Sequence, residues 1–443
     1  MEREKIAIEN EILDRLAGKI FLLQDRAHKR DIIFQTFLEV YNSASGQGLV
    51  SKLKNTDLEV LFSDFFSYGL IDEFLADPKV EDIMINHLSP IYVHKTNSGL
   101  VKTDKRFTSR EELDLLIKKL VIFSGRKDIK KINNIELSEV KGRGNIVYSP
   151  FGPQITITRA KERPLSIIEL IENGTLSPEI AAQFWFYVEG LGVKPANLII
   201  SGGPGAGKST LLNALFSFIP VHDRIVVIED TLELNTTLQE NCSRLESDED
   251  TLLMDLVKNS LRMRPDRIIV GEVRGQEAQD LMTAMNIGKY CMGTMHASTA
   301  RETIIRLQNE PMNVPEVLVG LVDVFVIMRR YNLNGRITRV VGELAETAGM
   351  ADKTVLLSTL WTYDLGSGSF KESSVGSEYR DRLALVSGRS TVEIMEELKF
   401  RAGIIRMMMK KGIKEMKEVT EFFQKYAADP KEATASLSAK HIS

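Results

Sequence analysis

The spacing of hydrophobic positions changes along this chain, and each period predicts a kind of element. Over residues 1 to about 75, Ile12, Leu13, Leu16 and Ile20 recur at three- and four-residue intervals, as do Ile33, Phe34, Phe37 and Leu38. That is the period of amphipathic helices. The Ser- and Gly-rich stretch Ser43–Gly48 reads as a loop. From 76 the pattern turns mixed. Val80–Asn86 and Ile91–His94 read as short strands joined by Leu88-Ser89-Pro90. Ser109-Arg110-Glu111-Glu112 fits a capping box that opens a helix to about Phe123. Ile146–Tyr148 and Ile155–Arg159 read as strands around Pro150-Phe151-Gly152-Pro153.

Between Pro164 and Pro178 lies a short helical segment broken by Asn173-Gly174. Ser177-Pro178 then starts a helix bearing Phe184, Trp185, Tyr187 and Val188, with proline at the first helical position. From about 178 to 330 strands alternate with helices, the signature of a mostly parallel sheet. Its apolar runs are Leu198–Ile200, Ile225–Ile228, Ile268–Val270 and Cys291–Met295. Val324–Met328 and Ile337–Val341 flank Asn334-Gly335, a hairpin signal. Leu356–Tyr363 reads as a further strand, residues 365–378 as a Gly- and Ser-rich loop, and the chain from about 390 as helical, with Ile404, Ile405, Met408 and Met409 on a core face. The Lys/Glu-rich run 410–418 reads as a solvated face. The expected division is a helical segment (1–75), a small α/β domain (76–162), a linker (163–178), a larger α/β domain (179–345), a strand and helix subdomain (346–430) and a disordered tail (431–443). No internal repeat stands out.

Composition adds bounds. The chain has 443 residues, 43% hydrophobic and 27% charged, ordinary values for a globular protein of two to three domains. A net charge of −4 supplies no global field toward nucleic acid or anionic lipid. No apolar run approaches the ~18 residues that span a bilayer, and Met1-Glu2-Arg3-Glu4-Lys5 does not resemble a signal peptide. Only Cys242 and Cys291 occur, which fits a reducing compartment, and the six histidines show no metal-binding spacing.

The candidate chemistry follows the apolar runs. Gly202-Gly203-Pro204-Gly205-Ala206-Gly207-Lys208-Ser209-Thr210 fits G-x-x-x-x-G-K-[ST] between a predicted strand and a predicted helix. Glycines let backbone N–H groups turn inward around a phosphate, and the helix N-terminus adds positive potential. Lys208 is expected to reach the β- and γ-phosphates of ATP, and the Ser209 hydroxyl to ligate Mg²⁺. The other runs end in Glu229-Asp230, Gly271-Glu272 and His296. Ligands of open α/β sheets bind at that carboxyl edge. Glu272 stands where a Walker B acid would, but the usual preceding Asp is Gly271. Asp266, before the same run, belongs at its far end. Glu272 is therefore the candidate to polarise water, and Glu229 or Asp230 the candidate for the missing acid. Glu229 is the preferred of the two to orient water and the Mg²⁺ shell, with Glu272 also near the metal. His296 is placed to report on the γ-phosphate. Arginines are abundant, and a cis or trans arginine speeds such sites.

The Leu261–Gly275 segment, LRMRPDRIIVGEVRG, closely resembles the atypical Walker B segment of the ATPases of type II and type IV secretion and of type IV pili. Ile228–Leu234 is similar to that family's Asp box, and Gly293–Thr299 to its His box. The nearest branches are the tight-adherence pilus ATPases and the archaeal pilus and archaellum motors, which Leu176–Glu179 and Leu245-Glu246 also fit. The resemblance covers about residues 70–345. It implies a RecA-like P-loop motor domain behind a PAS-like N-terminal domain. It further implies a homohexamer, cytoplasmic and peripheral to the membrane, that works through a polytopic platform protein on pilin-like subunits. In such motors the small domain swings over the nucleotide, which makes Arg143 and Arg159 the candidates to reach the phosphates. Where the family commonly has Gly-His upstream of the His box, this chain has Gly288-Lys289. The competing readings are a nucleotide-regulated scaffold with little turnover, a nucleic-acid translocase and a small-molecule P-loop kinase.

Overall fold

The computed structural model describes the chain apart from residues 1, 22–25, 44–56, 97, 138–141, 160–162, 248–249, 334–335, 353 and 440–443. The expected loop beyond Ser43 and the Asn334-Gly335 turn fall outside the described residues. Two compact units form, Met1–Glu162 and Arg163–Ser443.

In the first unit, alternating burial draws six antiparallel strands into one sheet. They are β1 (Val80–Asn86), β2 (Tyr92–Lys95), β3 (Gly99–Lys102), β4 (Ile132–Leu137), β5 (Gly142–Ser149) and β6 (Gly152–Arg159), in the order β3-β2-β1-β6-β5-β4. Ile83, Ile85, Val93, Ile146, Ile155 and Ile157 turn inward, and Thr158 Oγ1 donates to Asp82 Oδ1 across the β1–β6 pair at 2.7 Å. The helices are α1 (Glu2–Leu16), α2 (Arg26–Tyr41), α3 (Leu58–Phe66), α4 (Asp72–Ala76) and α5 (Arg110–Phe123). Their apolar stripes, including Ile12, Leu16, Phe37 and Phe65, enter the same core as the strands. An amphipathic helix has to bury its stripe against something. The sheet serves, so no division between compact units falls at residue 75. The buried Lys119–Glu9 ion pair, 3.1 Å, ties α5 to α1 with the ammonium over the Phe65 ring. Ser109 caps α5 as expected, although the Glu112 carboxylate accepts from the Thr108 N–H rather than that of Ser109.

The second unit is built on β7 (Leu198–Gly202), β8 (Ile225–Glu229), β9 (Cys242–Glu246), β10 (Arg267–Val270), β11 (Tyr290–Met295), β12 (Val324–Leu333), β13 (Arg336–Ala351), β14 (Thr354–Asp364) and β15 (Ser369–Glu372). The order is β15-β14-β13-β12-β7-β11-β10-β8-β9. From β12 to β9 all pairings are parallel, while β13, β14 and β15 extend the sheet antiparallel. β11 lies between the P-loop strand β7 and the Glu272 strand β10, the arrangement of RecA-like P-loop folds. The central parallel strands β7, β8, β10 and β11 are mostly apolar because both faces are covered, whereas the edge strand β9 is only partly buried. Leu198, Ile200, Val227, Ile269 and Met292 face one core; Ile199, Val226, Ile228, Ile268 and Cys291 face the other.

The first face is covered by α6 (Ile167–Glu172), α7 (Pro178–Glu189), α8 (Lys208–Leu215) and the C-terminal helices, and the second by α9 (Leu253–Ser260), α10 (Glu277–Asn286), α11 (Ala300–Gln308) and α12 (Glu316–Val319). The 163–178 stretch, expected as a linker with a short helix, contributes to this core through the buried Ile167 and Ile168. α13 (Glu378–Ser387), α14 (Thr391–Lys410), α15 (Met416–Ala428) and α16 (Pro430–Ala439) complete the unit. Trp185 of α7 meets the rings of Phe423 and Tyr426 edge-on, each at 4.6 Å, and the buried Arg401 guanidinium lies 4.4 Å over it. Arg401 is neutralised by Glu189 and Glu397.

Three expectations are corrected. Residues 430–439 are helical rather than disordered, because Ala433 and Leu437, one turn apart, are buried in the core. The 365–378 stretch is not all loop: β15 pairs with β14, and Phe370 packs edge-on against Tyr363 at 5.1 Å. The 345/346 boundary falls inside β13, a continuous strand whose Glu346 is fully buried. That carboxylate accepts from Tyr187 Oη (2.6 Å), Ser377 Oγ (2.8 Å) and the Tyr379 N–H (3.0 Å), and burial holds its pKa above the ordinary value.

Candidate active site

The parallel registers bring the strand ends level. Val270 is opposite Gly293 and Ile228, and Met295 is opposite Ser201. The residues that follow each strand therefore share one edge. The glycine loop runs from β7 into α8, with Gly205 (φ 66°) and Gly207 (φ 95°) in the left-handed region that a side chain would strain. Gly202 is constrained differently: a Cβ there would stand 2.6 Å from the Met328 carbonyl of β12. Gly203, Pro204 and Gly205 are exposed, Ala206 is buried and Thr210 is half-buried on the first turn of α8.

Lys208 is buried. Its Nζ donates to the Gly202 carbonyl (3.1 Å) and the Gly203 carbonyl (3.2 Å) and lies 3.4 Å from His296 Nδ1. Burial lowers its pKa, opposed by the charges of Glu272 and Glu233. The other ring nitrogen, His296 Nε2, is 3.3 Å from Glu272 Oε1. Between an ammonium and a carboxylate, the tautomer that satisfies both neighbours accepts at Nδ1 and donates at Nε2. His296 thus joins Lys208 to Glu272. Ser209 Oγ reaches Glu233 Oε2 at 3.5 Å.

Glu229 ends β8 and is 2% exposed. Its Oε1 accepts from the N–H groups of Glu233 and Leu234, both at 3.0 Å. Oε2 is buried without a hydrogen bond among the described residues, with Arg244 Nη2 at 3.7 Å. Burial raises the Glu229 pKa against the pull of those amides and Arg244. The position before Glu272 explains the departure from the common pattern. A Cβ on Gly271 would lie 2.8 Å from Glu229 Cγ, so the acid of the neighbouring strand occupies the space an Asp would take. Asp230 turns to Arg274 and Ser247 instead. Asp266 stands at the opposite end of β10, accepting from the Arg224 N–H at 2.8 Å.

The donors fit a divalent cation of the Mg²⁺ type. A buried carboxylate oxygen without a hydrogen bond, Glu229 Oε2, and the Ser209 hydroxyl at the start of α8 are oxygen ligands of the kind Mg²⁺ takes. Among the described residues no group of three His, Cys, Asp or Glu forms a cage, so phosphate and water oxygens would complete the shell.

Arg143 and Arg159 belong to the first unit. Arg143 is exposed on β5, opposite Thr158 and Glu136. Arg159 is half-buried, and its Nη1 donates to the Asp77 and Val80 carbonyls. Sequence reasoning gave no role to Glu233, Arg244, Arg330 or Arg339. Glu233 lay within a quoted box, four residues after Glu229, which was a usable signal. The arginines of β12 and β13 carried none, because only strand register brings them to the loop.

The family described as "Type II/IV secretion system protein" matches residues 131–330. An uncharacterized protein of Methanocaldococcus jannaschii (MJ0900) is 30% identical over 372 residues, 80% of this chain and 67% of that protein. A second from the same organism (MJ0781) is 36% identical over 233 residues, 50% of this chain and 32% of that protein. The chain thus spans about a third of one relative and two thirds of the other. Among solved structures, the ATPase DotB of Legionella pneumophila aligns at 19% identity and a TM-score of 0.47, over 79% of this chain and 88% of that one. With its glycine loop, buried Glu229 and strand-end His296 along one sheet edge, this chain belongs to the type II/IV secretion-system ATPase family.

Proposed function

We propose that the chain is an ATP hydrolase, the hexameric motor of type IV pilus-like filament assembly or of protein secretion. The observation that carries this reading is the junction of Lys208, His296 and Glu272 at the loop, with Glu229 beside it. Lys208 exchanges the Gly202 and Gly203 carbonyls for the β- and γ-phosphates. Amides at the start of α8 hold the polyphosphate, and Ser209 with Glu229 holds Mg²⁺, which neutralises phosphate charge when bound. Glu272 accepts a proton from the attacking water. His296, released from Lys208 as the lysine turns to phosphate, passes the change at the γ-position to Glu272 and to the turn before α11.

Arg143 and Arg159 are the candidates to complete the charge on closure, in cis or from a neighbouring subunit. The motor acts at the cytoplasmic face of the membrane through a polytopic platform protein on pilin-like subunits. No helix among the described residues is long and apolar enough to cross a membrane.

Phosphate release by the full chain with Mg²⁺ and ATP tests the core of the proposal. Turnover that vanishes in Lys208→Ala is expected. ATP binding without turnover in the parent would favour a regulated scaffold, and near-parental rates in Lys208→Ala would remove the site.

A further inference from the structure

The β12–β13 pair runs beside the loop, and its register sets Arg330 directly across from Arg339. Directly opposed residues of an antiparallel pair share one face, and like charges there repel. Both side chains reach the same glycine. Arg339 Nε donates to the Gly205 carbonyl at 2.8 Å. A Cβ built on Gly205 would lie 3.7 Å from Arg330 Nη1, and one on Gly207 would lie 3.5 Å from Arg339 Cδ. Glycine at 205 and 207 thus serves two needs, the left-handed backbone and the close approach of two arginines. Arg330 is exposed, and among the described residues it makes no ion pair.

Arg330 is an exposed positive charge beside the glycine loop, which an anion bound at the loop would balance. A loop tied through its own carbonyl is also held in shape before any ligand arrives, which lowers the ordering cost of binding. We propose that Arg339 and Arg330 are a positioning pair for the nucleotide. Arg339 holds the glycine loop in its binding form through Gly205, and Arg330 places a second positive charge at the rim, where the polyphosphate of the ligand balances it. The inference rests on the loop being the nucleotide site. It assigns to β12 and β13 a part in binding that is separate from the water-activating chemistry of Glu272.

The test is a fluorescence titration of the full chain with mant-ATP at several salt concentrations, beside steady-state kinetics. Arg339→Ala should weaken binding about tenfold, the scale of one charge-assisted hydrogen bond. At saturating ATP its kcat should stay near parental, and the melting temperature of the ligand-free protein should fall only slightly, because one exposed tie to Gly205 is lost. Arg330→Ala should weaken binding less and flatten the salt dependence of Kd, because a charge and not a hydrogen bond is lost. Arg339→Lys should recover part of the affinity. A purely structural role would instead lower the melting temperature while leaving Kd and its salt dependence parental, and that pattern overturns the inference. Parental Kd in both alanine variants, with binding lost in Lys208→Ala, also overturns it while leaving the site in place. Binding retained in Lys208→Ala would remove the site reading itself. If Arg339→Ala does not fold, parental Kd and salt dependence in Arg330→Ala and Arg339→Lys overturn the proposal.

Discussion

Glu229 and Gly271 share one space: the carboxylate side chain of the first packs where a side chain on the second would begin, 2.8 Å from its Cγ. In the proposed site, Glu229 at the end of β8 therefore stands in for the acid that the common pattern puts at the end of β10. Restoring the common pattern with Gly271→Asp should therefore harm the protein. We expect a loss of about 1–3 kcal/mol, the usual cost of overpacking. Thermal unfolding of Gly271→Asp, Glu229→Ala and the double variant should show strong non-additivity, because the second change removes the clash. Additive losses would mean that the two positions do not compete.

Glu272→Gln should bind ATP and lower kcat by ~10²-fold or more, as expected when a proton acceptor is lost. A raised KM with unchanged kcat would make Glu272 a binding residue and leave Glu229 as the catalytic acid. His296→Ala should keep nucleotide affinity while uncoupling hydrolysis from movement. An affinity loss as large as that of Lys208→Ala would contradict this.

Glu346 supplies a pH prediction. Its pKa is raised by burial, so the folded protein holds a proton that the unfolded chain has released. Between the ordinary value of 4.5 and the raised one, the native state binds more protons. Its contribution to stability is therefore present below that window and lost as pH rises through it. Urea unfolding from pH 4.5 upward should show this decline, and Glu346→Gln should show less of it even if less stable throughout. An unchanged slope in the variant would place the decline elsewhere.

The arginines of the first unit separate into two tests. Arg159→Ala removes a cation bonded to the Asp77 and Val80 carbonyls and should lower the stability of that unit by about 1–3 kcal/mol. Arg143→Ala, on an exposed side chain, should leave melting unchanged. If either guanidinium serves the phosphates, the variant should hydrolyse ATP ~10³-fold more slowly at saturation. Parental activity should also rise with protein concentration as subunits assemble, followed by light scattering. Full activity in a monomer would remove the trans mechanism.

Local patterns carried the loop, Glu272 and His296, because each motif follows an apolar run that becomes a strand. β1 coincides with its expected run, and Ser177 and Pro178 start α7 as read. What was illegible depended on partners distant in sequence. Residues 430–439 are polar enough to read as a tail until Ala433 and Leu437 pack with α14 and α15 into the core. Arg339 gained its contact from strand register alone. Gly271 looked like a missing acid until Glu229 was seen to fill its place.

The edge-on packing of Trp185 against Phe423 and Tyr426 also dictates an order of events during synthesis. A ribosome delivers α7 and the glycine loop more than two hundred residues before the rings that cover Trp185. The first unit has every partner it needs once residue 162 has emerged, and it can close while the chain is still growing. The second must wait, with an aromatic surface and a buried-charge position at Glu189 unfilled until Arg401 and α15 arrive. Truncations after β13 should therefore be captured by chaperones rather than yield a smaller working domain.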